Sequence, residues 1–92
     1  MKRVFKYEKS IGDIVIFDLS FGAKILRVDV QKDDGSICLW ALVDPELNSI
    51  QQRFIRVAGT GHPITESPLK YINTFTMYNR SLWFHAFEIL ED

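Results

Sequence analysis

Residues 24–43 read Lys-Ile-Leu-Arg-Val-Asp-Val-Gln-Lys-Asp-Asp-Gly-Ser-Ile-Cys-Leu-Trp-Ala-Leu-Val, and this stretch decides the fold. Up to Gln31 the side chains alternate. Leu26, Val28 and Val30 face one way while Arg27, Asp29 and Gln31 face the other, as in a half-buried strand. Lys32-Asp33-Asp34-Gly35 follows, and Asp-Gly tolerates the left-handed backbone that a tight hairpin demands. Residues 36–43 then return as a partner strand that is apolar on both faces. Such a strand is central in its sheet, or one of its faces meets another subunit. The unit is an antiparallel hairpin.

Outward from it, the same signals repeat. Residues 3–8 alternate, Ser10-Ile11-Gly12-Asp13 is turn chemistry, and residues 14–19 form a second strand, apolar until Asp18. Ser20-Phe21-Gly22-Ala23 turns the chain. Asp44-Pro45 places a capping residue before a proline, which predicts a single helical turn after Asp44. A strand from Arg53 runs into Gly59, residues 70–78 and 82–89 are strand-like, and Asn79-Arg80-Ser81 is a tight turn between them. Residues 90–92 are expected to fray. About seven short strands with little helical periodicity predict an all-β fold, a small antiparallel sandwich or barrel, with residues 1–92 as a single domain.

The chain has 92 residues, of which 47% are hydrophobic and 13% aromatic. A domain of this length buries only about 60–65% of its unfolded surface. Its apolar double-faced strands therefore predict a homo-oligomer. Eleven Lys and Arg stand against 12 Asp and Glu, which argues against a binder of long nucleic acid, whose affinity comes from a concentrated positive surface, while leaving room for a local basic pocket. The single Cys38 lies between Ile37 and Leu39 and reads as a small buried hydrophobe in a reducing compartment. Charges interrupt any secretory h-region, and no apolar run of about 18 residues exists to span a membrane. These signals predict a cytoplasmic protein.

The chemistry-bearing stretch is Gly59-Thr60-Gly61-His62-Pro63. Two glycines can turn successive backbone N–H groups into a concave nest that suits an anion. Thr60 adds a hydroxyl, His62 a titratable donor and Arg56 a charge; the alternative is a β-turn whose glycines satisfy geometry alone. Arg53 and Arg56, three apart in a strand, point to opposite faces, so one of them can look into a given pocket, and the plain reading is that one or both are solvated, Arg53 before Arg56. Trp40 is a stacking candidate, and Tyr78 and Arg80 flank a turn where they can meet a ligand. Trp83, Phe84 and Phe87 read as core or interface, and His85 among them as a packed residue. His62, His85 and Cys38 match no metal-ligand spacing. No catalytic residues are assigned, because no acid–base pair or nucleophile elbow presents itself.

Several segments occur together in order: residues 1–7 Met-Lys-Arg-Val-Phe-Lys-Tyr, residues 22–31 Gly-Ala-Lys-Ile-Leu-Arg-Val-Asp-Val-Gln, residues 38–45 Cys-Leu-Trp-Ala-Leu-Val-Asp-Pro, residues 59–64 Gly-Thr-Gly-His-Pro-Ile and residues 84–88 Phe-His-Ala-Phe-Glu. Over nearly the whole chain this resembles a family of small, functionally unassigned proteins encoded by bacteriophages and prophages. The resemblance implies a phage accessory protein in the host bacterial cytoplasm and brings no catalytic residues. By analogy with genome context, it implies sequestration, without cleavage and without a cofactor, of a nucleotide-derived, anionic defence signal. The ligand-binding residues would then be Arg53, Arg56, Gly59, Thr60, Gly61, His62, Trp40, Tyr78 and Arg80. The other reading is a protein-binding module that inhibits or recruits a host protein through its aromatic surface.

Overall fold

Turn chemistry sets the connections, and strand periodicity sets what each face buries. The computed structural model describes residues 1–91 and contains seven strands: β1 (Arg3–Ser10), β2 (Ile14–Ser20), β3 (Lys24–Asp29), β4 (Ser36–Val43), β5 (Ile50–Gly59), β6 (Leu69–Met77) and β7 (Leu82–Ile89). They form two antiparallel sheets, a three-stranded one in the order β1-β4-β3 and a four-stranded one in the order β2-β5-β7-β6. Of the sandwich and the barrel that an all-β pattern of short strands allows, the sandwich is the fold.

Strand β4 is the centre of its sheet, which is why both its faces are apolar. Ile37, Leu39, Ala41 and Val43 point inward and are sealed from solvent. They meet Val15, Phe17 and Leu19 of β2, Ile55 and Val57 of β5, Phe75 of β6 and Ala86 of β7 in one core. On the outward face Cys38 is buried too, its thiol directed at Glu8 and Gln31. Burial, reinforced by the Glu8 carboxylate, pushes the Cys38 thiol pKa up and disfavours the reactive thiolate.

Three readings of the sequence are corrected. The alternation of residues 24–31 breaks at a bulge between Ile25 and Arg27, and β3 ends at Asp29. The bulge inserts a residue, so Ile25 packs on the core and Leu26 is turned out. Asp44-Pro45 starts no helix. The Asp44 carboxylate accepts from Glu46 N and its carbonyl from Leu47 N. An Asp-Pro pair suits the first two positions of a β-turn as well as it suits a helix start. Of the end expected to fray, Leu90 is tied by its N–H to the Pro68 carbonyl at 3.0 Å, and Asp92 lies outside the described residues.

The two flanks of the sandwich differ. On one flank the edge strands β3 and β6 face each other, joined by Asn73. Its amide accepts from Val28 N at 2.9 Å and donates to Val28 O at 2.7 Å. Asn73 sits at a register shift in β6, between Tyr71 and Asn73, and its side chain stands in for the strand that β3 lacks. On the other flank, among the described residues, no side-chain hydrogen bond joins the edges of β1 and β2.

Replacing Asn73 with Ala leaves both polar groups of Val28 without partners in a part-buried position. The predicted loss is about 2 kcal/mol, read from urea unfolding. An unchanged midpoint contradicts the clamp.

Candidate functional site

Strands β5 and β6 both pair antiparallel with β7, which lies between them, so they run parallel to each other. The chain from Gly59 to Leu69 must therefore travel back along the sheet, and residues 60–68 do so over its outer face. Arg56 holds this crossover. Its Nε donates to Glu66 at 2.8 Å and its Nη2 to Pro63 O at 3.0 Å. Its Nη1 reaches Val57 O at 2.7 Å and Asp13 O at 3.2 Å. Arg56 is 9% exposed. A guanidinium that deeply placed is tolerated because its fork of donors is matched.

Arg53 is occupied on the opposite, inner face. Its Nε and Nη2 pair with the Glu88 carboxylate, and its Nη1 donates to Ala23 O at 2.7 Å. The three-residue spacing does send the arginines to opposite faces. Arg56 lies under the crossover, and Arg53, half-buried, is held by Glu88 and the Ala23 carbonyl rather than left to solvent alone. Arg53 underlies two adjoining clefts of about 360 and 290 Å³ at one end of the sandwich, with Gly22, Lys70 and Glu88 lining both.

Residues 59–62 form a closed turn. His62 N donates to Gly59 O at 3.0 Å, and Gly61 takes φ 87° at the third position, the geometry of a type II turn. Thr60 N is given to Trp83 O. Two of the N–H groups that a nest would present are thus spent on backbone. The His62 ring lies against Gly59: a Cβ there would stand 3.1 Å from two ring atoms, so a side chain at this position would oblige the imidazole to shift.

The turn borders the β6–β7 hairpin. Tyr78, Asn79 and Arg80 all have positive φ (53°, 53° and 69°), closed by Ser81 N to Tyr78 O at 3.0 Å. Between the two loops lies a cleft of about 330 Å³ lined by Gly59, Thr60, His62, Ser81, Leu82 and Trp83. So the structure brings Gly59, Thr60 and His62 together beside the hairpin that carries Tyr78 and Arg80. It separates them from Trp40, which pairs with Lys6 and Arg27 in the other sheet, and it closes Arg53 and Arg56 into ion pairs.

One arrangement escaped the sequence reading. Thr60 Oγ1 lies 2.8 Å from His85 Nε2, Thr74 Oγ1 lies 2.9 Å from His85 Nδ1, and Tyr71 OH lies 2.8 Å from Thr74 Oγ1. The imidazole is held between two hydroxyls rather than against a carboxylate. The chain of hydrogen bonds can be ordered in either direction, with His85 Nε2 accepting from Thr60 or donating to it. Thr74 and His85 are cross-strand partners, a relation that no single window of sequence displays.

The profile of a protein family described as Domain of unknown function (DUF7352) matches residues 1–92. The chain belongs to this family. Neither the curated proteins nor the solved structures compared with it contain a match. Among the described residues no group of three His, Cys, Asp or Glu side chains is placed to hold a metal ion, and no helix is long and apolar enough to cross a membrane.

The Glu66 pKa is lowered by its own backbone N–H and then by Arg56. A carboxylate with a depressed folded-state pKa stabilises the fold above its ordinary value of 4.5, and that contribution fades as the pH falls below it. Arg56→Ala is predicted to lower stability by about 2 kcal/mol at neutral pH, through the hydrogen bonds it removes from the crossover, and to reduce, without abolishing, the acid-dependent part below 4.5. Arg56→Lys, a point charge in place of a fork, recovers only part of the loss. Urea unfolding at several pH values checks both, and equal stability of all three proteins contradicts the assignment.

Proposed function

We propose that this is a phage-encoded binding module that works without catalysis in the host bacterial cytoplasm, and that it acts on a host protein through the aromatic surface around the β6–β7 edge. The observation that carries this reading is a contrast. Arg53 and Arg56, the cations best placed to meet phosphate, are consumed by Glu88 and Glu66, while Trp83 is 52% exposed and Tyr71 57% exposed. Tyr78 and Leu82 are exposed beside them. Aromatic side chains with an apolar body and a polar tip are enriched at the centres of protein interfaces. The hydroxyls of Thr60, Thr74 and Tyr71 add hydrogen-bonding groups without fixed charge.

A second reading, sequestration of a nucleotide-derived signal, draws support from the cleft between the two loops. Its volume of about 330 Å³ is at the lower end of small-molecule sites. Trp83 offers a stacking surface, Gly61 N–H has no partner among the described residues, and Arg80 is the nearby cation in the sequence.

Photo-crosslinking in the expressing bacterium distinguishes the readings. A photoreactive residue at Tyr71 or Trp83 is predicted to capture a polypeptide, and the same residue at Lys32 in the opposite hairpin is not. The protein-binding reading fails if positions 71 and 83 capture nothing. It gives way to the second if calorimetry finds a nucleotide bound below millimolar and lost in Gly61→Val.

A further inference from the structure

A two-sheet sandwich has four edge strands, each with backbone N–H and C=O groups unpaired on one side, and such edges pair with other chains unless something blunts them. Three of the four edges here are blunted. Strand β1 carries Arg3, Lys6 and Lys9 beside Glu8, a row of charged side chains, lysines among them, that blunts an edge. Strands β3 and β6 each contain a register shift, and they face each other through Asn73.

Strand β2 has none of these devices. Its ladder with β5 runs without a shift from Ile14 to Ser20. It contains no proline, lysine or arginine, and its one charge is Asp18. Val15, Phe17 and Leu19 are buried, whereas Ile14 and Ile16 are turned outward at 45% and 41% exposure. A long, regular, apolar edge is the kind that associates.

We infer that two copies of this chain pair through β2, antiparallel and about a two-fold axis, joining their four-stranded sheets into one continuous sheet. The edge is its own complement. An antiparallel register centred on Ile16 sets Ile16 against itself and Asp18 against Ile14 of the second copy, so the two Asp18 carboxylates never oppose each other. Centred on Lys6, the same arrangement on β1 sets Lys6 against itself and Arg3 against Lys9. The chain also exposes 6008 Å², about 500 Å² more than the roughly 5,500 Å² expected for its mass. Self-pairing through β2 leaves the Trp83–Tyr71 surface free, because β6 is at the far edge of the same sheet. The dimer would present that surface twice, once at each end, which raises avidity for a partner with two sites.

Sedimentation equilibrium across micromolar concentrations is the test, with three chains compared. The native chain is expected at twice 10.7 kDa. Ile16→Lys, which installs the missing edge charge on an exposed position, is expected at the single-chain mass with an unchanged circular dichroism spectrum. Val4→Lys on β1 is expected to stay dimeric. As a second measurement, Ile16→Cys in a Cys38→Ala background is expected to form an intermolecular disulfide under mild oxidation, and Val4→Cys in that background is not. A native chain that stays at 10.7 kDa, or a dimer that survives Ile16→Lys, overturns the inference. Because crosslinking from positions 71 and 83 does not depend on this pairing, the two proposals fail separately.

Discussion

The Arg56 guanidinium is the interaction on which the arrangement of the larger sheet depends. Placing β7 between two parallel strands obliges residues 60–68 to cross the sheet, and a crossing without helix or strand has no ladder of its own to hold it. Arg56 supplies the substitute. It gathers Glu66 and Pro63 of the crossover, Val57 of its own strand and Asp13 of the turn before β2. A lysine cannot serve four directions at once. Leaving the charge unpaired under the loop is excluded by its desolvation.

Arg53 does the corresponding work at the end of the core. It joins Glu88 of β7 to the Ala23 carbonyl, just where the chain leaves the larger sheet for the smaller. With Asn73 on the flank, the sheets are fastened by polar contacts at their margins and by apolar packing at their centre. The margins matter in a short chain because its core is small. They also fix what remains outside: an aromatic surface at the β6 edge, and an unguarded strand at β2.

Much of this was legible in residue order. Asp34-Gly35 set the β3–β4 hairpin, with Gly35 at φ 81°, and the double-faced apolarity of residues 36–43 set β4 at the centre of its sheet. The assignment of Arg53 and Arg56 to opposite faces also followed from spacing alone. What spacing cannot show is what covers a face. Glu66 and Glu88 lie 10 and 35 residues from their arginines, so the pairs appear only once the sheet order is known. The bulge after Ile25 and the Thr60–His85–Thr74 chain were hidden for the same reason, since each depends on register between strands. Asp44-Pro45 misled differently, because its chemistry fits two local structures.

Arg53 and Arg56 fasten the fold and are not cations held for a ligand. Nitrogen-15 spectra of the arginine Nε–H groups near neutral pH address this directly. Arg53 and Arg56 should give slowly exchanging resonances, distinct from those of exposed arginines such as Arg80 and unmoved by millimolar inorganic phosphate or nucleotide. A phosphate-dependent shift of either resonance, or exchange as rapid as that of Arg80, would contradict it.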